Sequence, residues 1–291
     1  MSAATALKNI LPLFGYVFLA WLIVVGVMYV LQRGMMYLPD TRHFGPAEFY
    51  GIEGMREVTI VTEDGLELGA FFMPPPDENA ATLVLFHGNA GHIGHRVLKA
   101  ATFHMFGMGV LLVEYRGYGG NPGSPTEDGL YMDGRAAMDF LIRRENIAPE
   151  KIVLYGESLG SGIAVQMATE FPAAAMVLET PFTSTGNLAA EIYPFIPARL
   201  LVKDRYDNIK KISKIKEMPL LILHGTEDGV VPFRHGEKLF AAANDPKEFA
   251  AVEGANHNNL FDFPETAQKL FGFLQRYGLA QSPLNMPGFR R

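Results

Sequence analysis

Cysteine is absent from this sequence of 291 residues, which excludes disulfide bonds, thiolate metal sites and a cysteine nucleophile. Basic residues are not in excess either, because 25 Lys and Arg residues face 31 Asp and Glu residues and the formal net charge is −6. The charges are scattered and form no basic stripe, so nucleic-acid binding has no electrostatic support. What remains is a chain with 48% apolar residues, enough for the core of one large domain or two small ones.

Charged residues are absent from Asn9 to Gln32, and residues 10–31 within this stretch are nearly all apolar. A helix of about 20 such residues crosses the ~30 Å hydrocarbon core of a bilayer. A buried core helix is one alternative, but few core helices are apolar on all sides for this length. A cleaved signal peptide is another, but its apolar region is only about 7–15 residues long and precedes a site of small residues. We therefore predict an uncleaved anchor over residues 1–33, whose apolar run crosses the membrane.

The charges beside this anchor do not predict which side of the membrane the rest of the chain occupies. Lys8 precedes the apolar run, whereas Arg33 and Arg42 follow it, which is close to a tie under the positive-inside rule. Residues 34–55 have a mixed composition with turn-prone prolines and glycines. We interpret them as a linker that runs along the membrane-facing side of the following domain.

That domain begins with a predicted hairpin, in which Glu57–Val61 and Leu66–Phe72 are the two strands. Short apolar segments then alternate with longer helical ones. The predicted strands are Thr82–Phe86, Val110–Glu114, Ile152–Tyr155, Ala174–Leu178, Leu220–Leu223 and Phe249–Val252. The predicted helices lie near Gly94–His104, Glu127–Arg144, Gly160–Glu170, Arg234–Ala243 and Pro264–Tyr277.

This alternation predicts an α/β domain with a mostly parallel sheet and helices on both faces, over residues 56–279. Functional residues of such sheets lie at the carboxyl ends of the strands. A C-terminal tail over residues 280–291 completes the predicted organisation. The sequence shows no internal repeat and no low-complexity tract.

Residues 181–217 interrupt the alternation and predict a short helical cap over the carboxyl edge of the sheet. Phe182, Tyr193 and Phe195 in this excursion are candidates for the lining of a pocket that holds an apolar group. Alternatively, these aromatic side chains simply pack the excursion onto the domain. The composition of the segment does not separate the two interpretations, and both are compatible with each other.

The strand Ile152–Tyr155 leads into Gly156-Glu157-Ser158-Leu159-Gly160, and a predicted helix follows at once. In this strand–turn–helix context, a Gly-x-Ser-x-Gly pentapeptide is typical of a nucleophile elbow. The turn forces the serine into an unusual backbone conformation, and a side chain at either glycine would clash with the neighbouring strand or helix. Ser158 is therefore the predicted nucleophile. The alternative is a glycine-rich turn with an incidental serine.

A serine hydroxyl needs a base, and the base needs a carboxylate that orients it. In proteins with this kind of nucleophile elbow, the acid and then the histidine follow the serine along the chain, each in a loop after a strand. Asp228 follows the strand Leu220–Leu223 and is the predicted acid, with Glu227 as the fallback. His257 follows the strand Phe249–Val252 and is the predicted base, since no other histidine has this placement after the acid. Alternatively, neither residue has a catalytic role: Asp228 only forms an Asp-Gly turn, and His257 is a solvated histidine in a loop.

Two backbone amides are expected to form an oxyanion hole. The amide of Leu159 begins the helix after the serine, and the amide of Asn89 lies in the loop after the strand Thr82–Phe86. His87 in this loop is expected to brace it. The alternative is a metal site made by the nearby histidines His87, His92, His95 and His104. Because no carboxylate motif accompanies them, we predict no metal and no cofactor.

These residues resemble α/β-hydrolases of the bud-emergence-protein-like group, which includes the relatives of α/β-hydrolase domain-containing protein 13. The matching stretches are Phe86-His87-Gly88-Asn89-Ala90-Gly91-His92-Ile93-Gly94-His95-Arg96, Tyr115-Arg116-Gly117-Tyr118-Gly119, Glu127-Asp128-Gly129-Leu130-Tyr131-Met132-Asp133, the Ser158 elbow, the Asp228 loop and His257-Asn258. They cover roughly residues 55–275, and the N-terminal anchor is also like that of the group. His92 and Asn259 depart from the Asn and Asp that the group often has there, but neither is a triad position.

The resemblance implies an α/β-hydrolase fold and a serine hydrolase of carboxylic esters or thioesters, including lipid-like ones, with Ser158, Asp228 and His257 as its triad. A peptidase related to the prolyl-oligopeptidase group is the second hypothesis, although the chain has no room for an accessory propeller domain. A membrane-tethered binding protein on a hydrolase scaffold is the third, and the intact triad order argues against it. The expected partners are a small-molecule or lipid ester and the membrane around residues 10–31, without nucleic acid.

Overall fold

The computed structural model describes residues 3–281, and side chains from residue 13 onward. Its strands are β1 (Leu38–Pro39), β2 (Arg56–Val61), β3 (Glu67–Met73), β4 (Thr82–Phe86), β5 (Ala90–Gly91), β6 (Gly109–Val113), β7 (Ile152–Glu157), β8 (Ala175–Glu179), β9 (Leu220–Gly225) and β10 (Lys247–Val252). Its helices are α1 (Ala3–Met36), α2 (Val97–Met105), α3 (Glu127–Asp139), α4 (Gly160–Glu170), α5 (Thr185–Ile192), α6 (Ala198–Leu201), α7 (Asn208–Lys211), α8 (Arg234–Ala242) and α9 (Pro264–Arg276). Most of the predicted tail, residues 282–291, lies outside the described residues.

Eight strands form one sheet in the order β10-β9-β8-β7-β4-β6-β3-β2. β3 is antiparallel to both of its neighbours, β2 and β6, whereas all the other neighbouring pairs are parallel. This is the mostly parallel sheet that the sequence predicts, and the hairpin is its antiparallel edge. The predicted helix near Glu127–Arg144 differs in its last turn, because α3 ends at Asp139 and Phe140–Arg144 continues as a wider π-helical turn.

Helices cover both faces of the sheet because successive side chains of a strand point to opposite faces. In the central strand β4, Val84 and Phe86 belong to one hydrophobic cluster, together with residues of α3 and α4. Leu83 and Leu85 belong to a second cluster, together with residues of α2 and α9. All four side chains are fully buried, which explains why the strand is a continuous apolar run.

The N-terminal helix α1 is long and apolar enough to cross a membrane over Leu13–Met36, with a mean hydropathy of 2.3 in its most apolar window. None of that window is buried in the protein. Among the described side chains of α1, those that are partly buried begin at Trp21 and lie along one face. The partly buried side chains on that face recur every three or four positions: Trp21, Val25, Met28, Gln32 and Met36.

Residues 34–55, which the sequence suggests are a linker, pack closely against the domain. Within them, β1 pairs with β5 in a small parallel sheet, so the chain that leaves α1 is hydrogen-bonded to the loop after β4. Several side chains of this segment are buried in the core: Tyr37, Phe44, Ala47 and Met55. The segment therefore fixes the end of α1 next to the carboxyl edge of the sheet.

The excursion over residues 181–217, called the cap below, carries the short helices α5, α6 and α7 between β8 and β9. Hydrogen bonds fasten it to α1 at two levels. Trp21 Nε1 donates to the Phe195 carbonyl oxygen at 2.8 Å, and Arg33 Nε donates to Asp204 Oδ2 at 2.7 Å. The cap therefore lies against the C-terminal half of the apolar helix.

Candidate active site

Ser158 lies at the turn between β7 and α4, with a backbone φ of 50°. Non-glycine residues rarely adopt this left-handed region. The Ser158 amide donates to the Glu179 carbonyl oxygen at 2.9 Å, which holds the turn in place. Both glycines of the pentapeptide are required, because the neighbouring backbone leaves no room for a Cβ at either position. A Cβ on Gly156 would lie 2.6 Å from the Gly160 carbonyl oxygen, and a Cβ on Gly160 would lie 1.9 Å from the Phe86 carbonyl oxygen.

The structure brings the three predicted triad residues into one chain of hydrogen bonds. Ser158 Oγ lies 3.0 Å from His257 Nε2, and His257 Nδ1 lies 2.7 Å from Asp228 Oδ2. An ionised carboxylate only accepts hydrogen bonds, so Nδ1 carries the proton and Nε2 is free to accept one from the serine. Glu227, the fallback acid, has an exposed side chain, whereas Asp228 is buried.

Asp228 is held in place by its own loop and by a buried histidine. The amides of Val230 and Val231 both donate to Oδ1 at 2.8 Å, and His224 Nε2 lies 3.4 Å from Oδ2. Burial alone would raise the pKa of this carboxyl. The hydrogen bonds from His224 and His257 outweigh burial and hold the pKa of Asp228 well below its usual range. The carboxylate is therefore ionised at neutral pH.

Asn89 and Leu159 both line a cavity that reaches the serine. Within the described residues, neither backbone amide donates to another group, so both are available to an oxyanion. Asn89 is fixed from three sides. Its carbonyl oxygen accepts from the Leu38 amide and the Tyr118 hydroxyl, each at 2.9 Å, and its Nδ2 donates to the Met36 carbonyl oxygen at 2.9 Å. A donor fixed in advance in this way stabilises developing charge without a cost of reorganisation.

His87 is fully buried beneath the Asn89 loop. Its Nε2 lies 2.9 Å from Glu114 Oε1, and its Nδ1 lies 2.7 Å from the Gly88 carbonyl oxygen. Its ring stacks on Tyr115 with centroids 4.1 Å apart. Both ring nitrogens are thus used inside the protein, and this arrangement is that of a brace for the loop.

Among the described residues, the histidines considered for a metal site mostly lie apart. His92 and His95 come together, and Asp40 brings a carboxylate oxygen within 4.8 Å of them. The two rings stack with centroids 4.2 Å apart and planes at 19°, so their in-plane lone pairs do not converge on one point. His92 Nδ1 already accepts from the Gly94 amide at 3.1 Å, and Asp40 pairs with Arg42 at 2.6 Å. These contacts favour a polar cluster over a metal site.

Known proteins are similar to this chain in sequence and in architecture. A family model described as serine aminopeptidase, S33, matches residues 77–203. An uncharacterized protein of Mycobacterium tuberculosis H37Rv is 39% identical over 229 residues, which cover 78% of this chain and 81% of that protein. Protein bem46 of Schizosaccharomyces pombe is 32% identical over 275 residues, which cover 89% of this chain and 91% of bem46. The chain belongs to the bem46-like α/β hydrolases.

A solved structure shows the same α/β-hydrolase fold. The esterase Pf2001 of Pyrococcus furiosus matches with a TM-score of 0.66 at 19% sequence identity, over 83% of this chain and 97% of the esterase. At this identity the likeness is one of fold. The fold class and the family resemblance predicted from the sequence are therefore confirmed, and the chain is a hydrolase by family.

Two cavities meet at Ser158 in this α/β hydrolase. The first has a volume of about 300 Å³, and none of its lining side chains is charged. Its walls come from the cap, from the loops after β4 and β9, and from α1. The apolar helix contributes Val25, Met28, Tyr29, Gln32, Met35 and Met36. An apolar chain attached to the carbonyl carbon at Ser158 would be accommodated in this space.

The second cavity has a volume of about 240 Å³ and lies beside His257, with a mostly polar lining. Arg96 pairs with Glu157 at 2.8 Å, while Lys99 pairs with Glu157 at 2.8 Å and with Glu179 at 2.7 Å. Burial alone would raise the pKa of Glu157, but the two cations hold it well below its usual range. Two positive and two negative side chains thus give this cavity a balanced charge.

The three aromatic residues predicted to line a pocket are in different places. Phe182 and Tyr193 line the apolar cavity. Phe195 does not, and its side chain is 56% exposed. The reason is that Phe195 contacts α1 through its backbone, whose carbonyl oxygen accepts from Trp21. The neighbouring Ile196 supplies the lining instead.

Sequence reasoning misses three parts of this site: the wall formed by α1, the ion pairs beside the serine, and His224 beneath Asp228. Two of them leave a weak signal in the sequence. Glu157 is a charged residue inside the pentapeptide itself, and Gln32 is a polar residue at the end of an otherwise apolar run. His224 lies inside an apolar strand and carries no signal that separates it from a core histidine.

Proposed function

We propose that the protein is a membrane-anchored serine hydrolase that cleaves carboxylic esters or thioesters through an acyl-enzyme on Ser158. The observation that carries this proposal is the hydrogen-bonded relay from Ser158 through His257 to Asp228, with contacts of 3.0 and 2.7 Å. Such a relay converts a weakly nucleophilic hydroxyl into an effective nucleophile. The esterase Pf2001, which shares the fold, is compatible with the same chemistry.

The proposed reaction has two steps of acyl transfer. His257 Nε2 takes the hydroxyl proton as Ser158 Oγ bonds to the carbonyl carbon, and the oxyanion accepts hydrogen bonds from the amides of Asn89 and Leu159. His257 then gives the proton to the departing alcohol or thiol as its bond to the carbonyl carbon breaks. His257 then takes a proton from a water molecule as the water oxygen bonds to the carbonyl carbon of the acyl-enzyme, and it returns this proton to Ser158 Oγ as the bond between Oγ and the acyl group breaks and the carboxylic acid leaves. Asp228 holds the imidazole in its tautomer and stabilises the imidazolium.

The proposed anchor is α1, retained in the mature protein. No residue of its apolar window is fully buried, whereas a core helix would bury most of that surface. A cleaved signal peptide would also remove the helix whose Met36 carbonyl oxygen fixes Asn89, and whose Arg33 pairs with Asp204. These contacts favour retention of the helix.

The description of the matching family model, serine aminopeptidase, suggests a peptidase as the alternative function. An aminopeptidase needs a carboxylate that is free to pair with the substrate ammonium group. The carboxylates of the polar cavity, Glu157 and Glu179, are instead paired with Arg96 and Lys99. This pairing favours esters over peptides as substrates.

Covalent labelling of wild-type enzyme and Ser158→Ala by a fluorophosphonate tests the proposal. We expect wild-type enzyme to be labelled, and Ser158→Ala to lose labelling and several powers of ten in turnover, because a triad acts as a unit. A panel of p-nitrophenyl esters, an acyl-CoA and a peptide amide then separates the candidate reactions. Full labelling of Ser158→Ala would contradict the assignment, and a wild-type enzyme that is not labelled would favour a non-catalytic binding protein.

A further inference from the structure

The apolar helix α1 contributes a wall to the cavity that reaches Ser158. Val25, Met28 and Tyr29 line the cavity at the middle of the helix, and Met35 and Met36 line it near the serine. A helix rises 1.5 Å per residue, so this wall extends for about 16 Å. It lies entirely inside Leu13–Met36, the part of α1 that is apolar enough to cross a membrane.

The cap forms the facing wall and is fastened to the same helix. Gln32 receives a hydrogen bond from the Lys203 amide at 2.7 Å, and the Trp21 bond to the cap lies about three helical turns earlier. The cap also exposes large apolar side chains. Ile192, which lines the cavity, is 52% exposed, and Leu200 is 76% exposed. An α1 that crosses a bilayer would bring these side chains to the lipid surface.

The two cavities at Ser158 differ in the polarity of the side chains that line them, so each suits a different part of an ester substrate. The apolar cavity has no charged side chain in its lining and suits an acyl chain. The polar cavity beside His257 is lined by charged side chains that pair with one another, and it suits a small polar alcohol without a strong preference for charge. An ester bond at Ser158 would then lie at the junction of the two.

Resting on the proposed hydrolase function, we propose that α1 is part of the substrate site, and that the substrates are single-chain acyl esters of a polar alcohol whose chain lies between α1 and the cap. Each buried methylene contributes about 0.8 kcal/mol, or about fourfold in kcat/KM, until the cavity is filled. A lipid with a second acyl chain on the alcohol would have to bury that chain against the ion pairs of Arg96 and Lys99, which is unfavourable.

Two adjacent substitutions on α1 test the wall. Met28 lines the cavity, whereas the adjacent Val27 does not and is 51% exposed. We expect Met28→Trp to lower the ratio of kcat/KM for p-nitrophenyl laurate to kcat/KM for p-nitrophenyl acetate at least tenfold. Val27→Trp, the matched control, should leave both this ratio and the acetate activity within twofold of wild type. Equal effects on both esters, or no effect on either, would overturn the proposal while acetate hydrolysis and fluorophosphonate labelling still support the proposed hydrolase.

A wild-type enzyme that neither hydrolyses p-nitrophenyl acetate nor reacts with the fluorophosphonate would instead contradict the proposed hydrolase function, and this inference with it.

A second measurement does not depend on any variant folding correctly. Full-length enzyme in detergent is labelled with a long-chain alkyl fluorophosphonate that carries a diazirine near the end of its chain, and is then irradiated. We expect cross-links to peptides from residues 25–36 of α1 or from the cap. Cross-links only elsewhere would overturn the proposal.

A comparison of lipids tests the division between the two cavities. Monolauroylglycerol and dilauroylglycerol are presented separately at equal mole fraction in phosphatidylcholine vesicles that contain the full-length enzyme. We expect the monoacyl lipid to be hydrolysed at least tenfold faster. Equal rates for the two lipids would overturn the single-chain part of the proposal.

Discussion

At the scale of single residues, the surroundings of the two carboxylates favour Asp228 over Glu227 as the acid of the proposed triad. Asp228 receives two backbone amides at 2.8 Å and His257 at 2.7 Å, whereas the adjacent Glu227 has an exposed side chain. A buried carboxylate is stable only when its oxygens are satisfied in this way. The local turn, and not the order of the two acids in the sequence, gives Asp228 its partners.

Substitution of the two neighbouring acids tests this assignment. We expect Asp228→Asn to leave the fold intact and to lower turnover by about 10⁴, because an amide at this position disfavours the productive tautomer of the histidine. Glu227→Gln is the matched control and should stay within twofold of wild type. The measurement is kcat for p-nitrophenyl acetate, with circular dichroism as the check on folding. A crippled Glu227→Gln beside a nearly normal Asp228→Asn would reverse the assignment.

At the scale of the element, α1 combines an exposed apolar surface with side chains that bond to the rest of the protein. Trp21, Gln32 and Arg33 bond to the cap, while other side chains of the helix are exposed and apolar. Its last carbonyl oxygen, that of Met36, fixes the side chain of Asn89. If α1 is the anchor that we propose, the same helix links the membrane to the geometry of the site.

Removal of the helix separates these roles. A chain that begins at Gly34 keeps Met36 and the Asn89 contact but loses Val25 to Gln32 from the cavity wall. We expect it to leave the membrane fraction after alkaline carbonate extraction, to hydrolyse p-nitrophenyl acetate, and to lose most of its preference for long chains. Wild-type protein extracted into the soluble fraction without detergent would contradict the anchor, and an unchanged chain-length preference would contradict a role of α1 in the cavity.

At the scale of the whole molecule, buried carboxylates link stability to pH. The pKa values of Glu157 and Asp228 lie below the 4.5 and 3.8 of the free groups, despite burial, because cations and hydrogen bonds favour the ionised form. The unfolded chain therefore binds more protons than the folded one as the pH falls. The stabilisation from these groups is fully present above about pH 5 and is lost as the pH falls through the folded pKa values.

Glu157→Gln provides the test of this linkage. At pH 7 we expect the variant to have a lower free energy of unfolding than wild type, because Arg96 and Lys99 lose a charged partner. The difference should shrink below about pH 4, by no more than about 1.4 kcal/mol per pH unit, because the unfolded wild-type chain takes up a proton at Glu157 while the folded protein keeps this carboxylate ionised. Urea unfolding in detergent, followed by circular dichroism between pH 7 and 3, gives the measurement. A difference that is independent of pH would contradict the proposed ionisation.

Short stretches of the sequence are enough to predict several parts of this protein. Apolar runs and turn residues predict the strands of the sheet, and the pentapeptide around Ser158 predicts the turn after β7. Gly160 is required in that turn because its backbone lies too close to Phe86 for any side chain. The order of Asp228 and His257 after the serine predicts their meeting, because the carboxyl ends of parallel strands lie at one edge of a sheet. Local patterning is sufficient there, since each residue lies in the loop or turn that follows a strand.

Other features depend on contacts between segments that lie far apart in the chain, and these emerge only in the folded structure. The apolar run of α1 predicts a helix, but its composition does not say that Met28 faces a cavity while Val27 does not. The aromatic residues of the cap look alike in sequence, yet Tyr193 lines the cavity and Phe195 is exposed. Both outcomes follow from where the cap meets α1, a contact between residues more than a hundred and sixty positions apart that no local pattern encodes.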